Sequence, residues 1–462
     1  ALARRNRVLN SMVETGDLNK KTAEAVKHSE LGVTRQRATN YRAPYLVDFL
    51  EEEMRRAFPD SPPSGAGLKI FSSVDPDLQE QAEEALGAGL ERLEKSYPVL
   101  RKNPRGTLQG ALVAIRVSDG AILALVGGRD YRVSQFNRTY QAHRQPGSLF
   151  KRFLYLAGFI RSQSEPGFSF TAATPLEDTP LEMVSGGKPY RPQNYDHLFH
   201  GTGSARRALE ESMNVASVRA AEEVGLESVI TVAKRCGVEA RLPKVPSLAL
   251  GTAEVTPLEM AEAYATLASG GVHHPVWAIR AMIDRRGRSL EPETPPGARV
   301  LSPQAAYLIT DLLKGVLTRG TASTAEMLGF SGVAAGKTGT TDDLRDAWFA
   351  GYTPKILTVV WVGYDDNRAL GLTGAQAALP IWVDFMMSSG RVSDRDFPEP
   401  PGMIREKVDP ETGQLATWKC PEKVDELFIE GTEPEQRCEK HAKWHWWWRF
   451  GDEEDEKNED SE

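Results

Sequence analysis

Apolar residues recur at helical spacing through residues 1–60 (Val8, Leu9, Met12, Val13; Leu46, Phe49, Leu50, Met54) without strand-like alternation, so a helical region is expected there. Pro59 to Gly67 is rich in Pro, Gly and Ser and marks the first boundary. Leu68–Val74 reads as a strand, and Asp75-Pro76 supplies an N-cap and a first-turn proline for a helix running to about Lys95. From Gly110 the pattern changes to two apolar, β-branched runs, Ala111–Val117 and Ala121–Val126. The Ser118-Asp119-Gly120 turn between them predicts a hairpin. Residues 205–270 return to helical periodicity, with a capping box at Thr256-Pro257-Leu258-Glu259, and Ser302–Leu317 is a further amphipathic helix. Two strand-like runs follow, Asp346–Gly351 and Ile356–Gly363. Strands at both ends with helices between predict an α/β (α+β) fold in which distant parts assemble one sheet covered by helices.

The 462 residues suffice for about three domains by length. Net charge is −8, and residues 452–462, with eight acids and one lysine, account for −7 of it. The remainder is nearly neutral, which gives no electrostatic case for binding nucleic acid. No apolar run approaches a bilayer-spanning length, and no signal peptide is present. The chain opens on Ala1 instead of Met, so an N-terminal portion is expected to have been removed.

Three short stretches carry chemistry. In Arg144-Gln145-Pro146-Gly147-Ser148-Leu149-Phe150-Lys151, a serine and a lysine stand three apart at the start of an apolar helix, where i and i+3 share a face. A serine hydroxyl becomes a nucleophile when a neighbouring base takes its proton. A lysine serves as that base if burial or nearby cations favour its neutral amine. By itself this is weak, since roughly one or two S-x-x-K matches arise by chance in such a length. Glu211-Ser212-Met213-Asn214 adds a hydroxyl able to relay a proton and an amide able to orient a lysine. Ala335-Gly336-Lys337-Thr338-Gly339-Thr340-Thr341 opens the last strands. Its glycines permit close approach of a ligand, its lysine and threonines suit a carboxylate, and its strand N–H groups suit an extended peptide or an oxyanion.

In this order, S-x-x-K, S-x-N and K-T-G make the signature of penicillin-binding proteins and serine β-lactamases. The sequence resembles the transpeptidase half of a class A (bifunctional) penicillin-binding protein. The resemblance extends through Arg144–Phe153, Ala208–Val218, Ala249-Leu250-Gly251, Val255–Glu259, Ala263-Tyr264, Leu267–Gly271, and Gly336–Thr341 with Trp348–Gly351. It implies the fold shared with serine β-lactamases, a central, mostly antiparallel sheet flanked by helices, plus an all-helical domain. Residues 1–58 resemble the C-terminal end of the family's glycosyltransferase domain, whose acidic catalytic motifs lie upstream. Residues 59–109 are then a linker region, 110–395 the transpeptidase domain, 396–450 a small appendage and 451–462 an acidic disordered tail.

Carried over residue by residue, the resemblance makes Ser148 the nucleophile and Lys151 its base. Ser212 becomes the proton relay and Asn214 the residue that orients Lys151. Lys337, Thr338, Gly339 and Thr340 form the carboxylate- and β-lactam-binding strand. The backbone N–H groups of Ser148 and Thr340 form the oxyanion hole. The implied partners are peptidoglycan stem peptides, glycan strands, β-lactams and cell-wall regulator proteins. The implied location is the extracytoplasmic face of the bacterial membrane, reached through an N-terminal anchor not in this chain. No cofactor or metal is implied. One departure is Arg152, where the family often has proline. The alternatives are a β-lactamase or D,D-carboxypeptidase, for which Glu254 would be the water-activating candidate, and a non-enzymatic β-lactam sensor.

Beyond Phe397 the chain is rich in proline and turns. Cys420 and Cys438 stand 18 apart, and members of the family carry a similar pair, so a disulfide worth about 3 kcal/mol on the loop-entropy model is expected. Zinc is the alternative, with His441 and His445 following Cys438, and Cys236 is expected to be a buried apolar residue. Trp444 and Trp446-Trp447-Trp448 suit a protein groove, a membrane interface, sugars or the domain's own surface.

Overall fold

The hairpin at residues 109–126 and the two late strands join a fifth in one antiparallel sheet. The computed structural model describes residues 2–29, 42–58, 67–101, 106–290, 296–392 and 394–441. Strands β1 (Gln109–Arg116), β2 (Ile122–Val126), β3 (Ala335–Thr340), β4 (Ala347–Tyr352) and β5 (Ile356–Gly363) lie in the order β3-β4-β5-β1-β2. Val359 faces Val113 across β5 and β1, and Lys337 faces Ala350 across β3 and β4. β5 is buried along its whole length, as its unbroken apolar run requires, because helices cover both faces of the sheet. Gly120 turns the hairpin at φ +77°, where a Cβ would stand 2.7 Å from the Pro275 carbonyl oxygen.

Helices α1 (Pro76–Ser96) and α2 (Gly374–Ser388) pack on each other and on the sheet. The crossing is tight, since a Cβ on Gly89 would sit 2.3 Å from Ile381. α1 starts as expected, with the Asp75 side chain accepting from the N–H groups of Asp77 and Leu78 and Pro76 in the first turn. It buries Leu78, Leu86, Leu90 and Leu93, each worth about 1.5–3 kcal/mol. The linker expected over residues 59–109 is therefore in large part a structural helix of the sheet domain, because its apolar stripe has a partner far along the chain. Pro257–Ala268, entered through the Thr256–Glu259 capping box, packs on β1, β4 and β5. Pro303–Thr318, capped by Ser302, packs on the edge strand β3.

Residues 1–42 and 43–462 form two compact units. Within residues 1–42, helices Leu2–Glu14 and Lys20–His28 pair, and Arg5 donates to the carbonyls of Lys27 and Ser29. Helix Pro44–Ala57 belongs to the second unit. Tyr45, Leu46 and Phe49 join the main core there, and Glu53 accepts from the N–H groups of Ala278 and Ile279. The C-terminal part forms a two-stranded hairpin, Met403–Val408 with Val424–Ile429. Arg206 holds it through Glu426, at 2.6 Å, and also bonds Asp311. The Pro59–Gly67 break lies almost wholly outside the described residues, and so do His445, the Trp444–Trp448 segment and the acidic tail.

Candidate active site

Pro146-Gly147 brings the chain sharply into a short 3-10 turn, Gly147–Phe150, that continues directly as the helix Lys151–Ser164. In a 3-10 turn i and i+3 eclipse, so Ser148 and Lys151 stack, and the Lys151 N–H donates to the Ser148 carbonyl. Gly147 takes φ +55°, and its N–H donates to the Gly251 carbonyl at 3.2 Å. The turn is clamped by two other glycines. A Cβ on Gly251 would lie 2.0 Å from the Gly147 oxygen, and one on Gly339 would lie 2.4 Å from the Pro146 oxygen. Trp348 Nε1 adds a bond to the Gln145 carbonyl at 2.9 Å. The motif glycines thus press the serine turn against β3.

The Lys151 side chain is fully buried. Its Nζ donates to Asn214 Oδ1 at 2.7 Å, to the Ser212 carbonyl at 2.5 Å, and reaches Ser212 Oγ at 3.3 Å. Ser212 holds φ +61°, a left-handed conformation that costs a non-glycine residue about 1–3 kcal/mol. That reversal, between helices Ala205–Glu210 and Asn214–Val224, turns both Ser212 oxygens toward the amine. Burial pushes the Lys151 amine well below its usual range, and the nearby Lys337 ammonium pushes it further, with Asp178 opposing. Lys337 is also fully buried, and burial alone brings it down to about 7. Its Nζ lies 3.3 Å from the Thr338 carbonyl, while Thr338 Oγ1 pairs with Thr321 Oγ1 at 2.7 Å. Thr340 Oγ1 accepts from the Gly374 N–H, at the start of α2. β3 is the sheet's edge strand, so its outer side can take an extended peptide.

The structure therefore brings together Ser148 and Lys151 on one turn, Ser212 and Asn214 around the amine, and Lys337 through Thr340 on the abutting strand. Sequence reasoning missed a polar support behind them. Asn214 Nδ2 donates to the Gln193 carbonyl, which fixes the amide so that Oδ1 faces Lys151. Asn194 Oδ1 accepts from the Asn214 N–H, and its Nδ2 donates to the buried Asp178. Thr321 was missed as well; its N–H donates to the Glu210 carbonyl, linking the Ser212 segment to β3. Glu254 is exposed and lines a polar cleft with Arg144, Asp342 and Asp346, whose walls include none of Ser148, Lys151 and Ser212.

Arg152, the departure noted above, is fully buried. Its guanidinium stacks 3.3 Å from the centre of the Tyr264 ring, and Nη1 donates to the Leu149 carbonyl, leaving Nε and Nη2 unpartnered. Cys236 is buried, with its thiol pushed up to about 12 by desolvation. The disulfide expected between Cys420 and Cys438 is not formed, and both thiols are free. Cys420 Sγ accepts from the Thr417 N–H, and Cys438 Sγ faces His441 Nδ1 at 3.4 Å.

Residues 110–381 match the penicillin binding protein transpeptidase domain, and residues 399–443 match the penicillin-binding protein 1A C-terminal domain. Penicillin-binding protein 1A of Aquifex aeolicus is 33% identical over 95% of this chain and 69% of its own length. Penicillin-binding protein 1B of Haemophilus influenzae is 32% identical over 84% of this chain; the chain spans 48% of that relative's length. Among solved structures, penicillin-binding protein 1A from Haemophilus influenzae superposes with a TM-score of 0.76 at 24% identity, covering 94% of this chain and 83% of that one. The PonA1 protein from Mycobacterium tuberculosis, in complex with penicillin V, gives 0.66 at 23%, covering 78% and 96%. On these matches the chain belongs to the penicillin-binding transpeptidase family, as the transpeptidase region of a class A penicillin-binding protein.

Proposed function

We propose that this region is a serine D,D-transpeptidase that cross-links peptidoglycan stem peptides. The observation that carries the reading is a fully buried lysine amine, three residues after a serine, held by Ser212 and Asn214. Burial, with the Lys337 ammonium beside it, lowers the proton affinity of this amine, the direction that a base for the Ser148 hydroxyl needs.

Ser148 Oγ attacks the carbonyl of the penultimate D-Ala while Lys151 takes its proton. The negative charge that develops on the carbonyl oxygen is met by the Ser148 and Thr340 N–H groups. The C–N bond then breaks, Ser212 passes a proton to the departing D-Ala amine, and an ester to Ser148 remains. The amine of a second stem peptide attacks that ester, forming the cross-link and returning the proton to Ser148. Lys337, with Thr338 and Thr340, holds the substrate's terminal carboxylate. β-Lactams acylate the same serine. In the whole protein, a glycosyltransferase domain and a membrane anchor precede this region and place it on the extracytoplasmic face of the membrane, among cell-wall synthesis and regulator proteins.

The test is release of D-Ala from a peptide ending in D-Ala-D-Ala, with and without an acceptor amine. Release should be acceptor-dependent and lost by at least ~10³-fold in both Ser148→Ala and Lys151→Met. Unchanged release in either folded variant would overturn the reading.

A further inference from the structure

The C-terminal hairpin has little core of its own. Apart from the residues that join the main core, its apolar cluster is only Val408 and Phe428 with Ile404, packed on Ala173 of the transpeptidase domain. Units this small ordinarily need a disulfide or a metal to hold their loops. The disulfide is absent, and at that end of the hairpin a different arrangement stands. Asp409 directly follows the first strand, Cys420 lies in the loop before the second, and Cys438 and His441 come back after it. One ligand atom from each of the four lies within 4.8 Å of all the others. A tetrahedral ion with bonds of roughly 2.0–2.3 Å holds its ligands roughly 3.3–3.8 Å apart, so the cage needs only slight contraction.

We propose that Asp409, Cys420, Cys438 and His441 form a tetrahedral structural site for a divalent cation of the zinc class. Two sulfurs, one imidazole and one carboxylate are the donor set that suits Zn²⁺. Asp409 and Cys438 are 1% exposed and Cys420 5%, so the site is closed on the protein side. The groups are oriented as ligands. Asp409 Oδ1 is occupied by the N–H groups of Glu411 and Thr412, leaving Oδ2 turned inward, 2.8 Å from His441 Nδ1. His441 presents that same Nδ1 to Cys438 Sγ, while its Nε2 lies 3.5 Å from Glu411. A carboxylate on the outer nitrogen of a metal-bound imidazole is the usual means of fixing its tautomer. On binding, both thiols lose their protons to solvent, and His441 coordinates through an Nδ1 that carries no proton.

The pattern was half legible. Cys438-Glu439-Lys440-His441 has the spacing of a close ligand pair, but Asp409 reads as a turn residue before Pro410, and Cys420 has no near neighbour of its kind. All four fall within residues 399–443, the second family match, so the site belongs to that C-terminal module and not to the transpeptidase chemistry.

The test is Co²⁺ titration of the whole chain, stripped by chelator and kept reduced, followed by displacement with Zn²⁺. One equivalent should bind, with a thiolate-to-cobalt charge-transfer band and tetrahedral visible bands, and Cys438→Ser should abolish the charge transfer contributed by that sulfur. Glu411→Gln, a change on the surface that leaves folding intact by circular dichroism, should weaken binding about 10–100-fold. A reduced, folded chain that takes up no Co²⁺ would overturn the proposal. So would a freshly purified chain lighter by two hydrogens, metal-free, with Cys420 bonded to Cys438.

Discussion

Gly251→Ala isolates the contact that holds the serine turn. A Cβ there would lie 2.0 Å from the Gly147 oxygen and 2.7 Å from its carbonyl carbon, both backbone atoms, whereas real Cβ atoms essentially never come closer than 3.0 Å. The serine turn or the Gly251 loop must therefore move by about 1 Å. A misplacement of that size costs on the order of 100-fold in acylation rate, about 2.7 kcal/mol of barrier. Stability falls by the left-handed φ of +77°, about 1–2 kcal/mol, and by overpacking of about 1–3 kcal/mol. Gly390→Ala separates these effects, since Gly390 has φ +61° with nothing within 4 Å of its would-be Cβ. The control should lose only the conformational part and acylate at the parent rate. The assay is the second-order rate of labelling by a fluorescent penicillin, with denaturant unfolding of each variant in parallel. A folded Gly251→Ala protein that acylates at the parent rate would refute the argument that this close approach positions Ser148.

Lys337 protonates near pH 7 in the fold and near 10.4 when exposed. Between those values the unfolded chain binds the extra proton, so this group makes stability rise with pH through that window, by at most about 1.4 kcal/mol per pH unit. Lys337→Met should thus gain most over the parent below pH 7 and lose that gain toward pH 10; a pH-independent difference in denaturant unfolding would contradict the assigned burial effect. Arg152→Met removes a buried cation with two unpartnered nitrogens while Tyr264 still donates to Leu149, and should be neutral or stabilising by up to about 4 kcal/mol. A clear loss in melting temperature would count against it. Glu426→Ala removes one ion pair of Arg206 while Asp311 and Glu210 still face its guanidinium, and should cost about 1.5–3 kcal/mol, read by unfolding and by faster proteolysis of the C-terminal hairpin; parental resistance would show that this ion pair does not hold it.

Local order was legible where it depends on neighbours in sequence. The Asp119-Gly120 turn, the Thr256 capping box and the Asp75-Pro76 helix start appear where the residues predict them. What could not be read were partnerships between distant segments. Nothing in Gln109–Arg116 says that it pairs with Ile356–Gly363, and nothing in Pro76–Ser96 says that its stripe meets Ile381. The site divides the same way. Ser148 and Lys151 declare themselves by spacing, and three motifs in order carry the rest. Asn194 and Asp178, which aim Asn214, have no local signature, and the Ala249-Leu250-Gly251 block does not say that Gly251 seats Gly147, because these roles exist only once the loops meet.

The central claim is that Ser148 is the acylated nucleophile. Intact-mass spectrometry of the whole chain after incubation with benzylpenicillin, followed over hours and located by peptide mapping, tests it most directly. A single persistent adduct on the peptide containing Ser148, absent from Ser148→Ala, is the predicted result. An adduct elsewhere, an equal adduct on the folded Ser148→Ala protein, or rapid loss of the adduct with accumulating penicilloate would contradict the account.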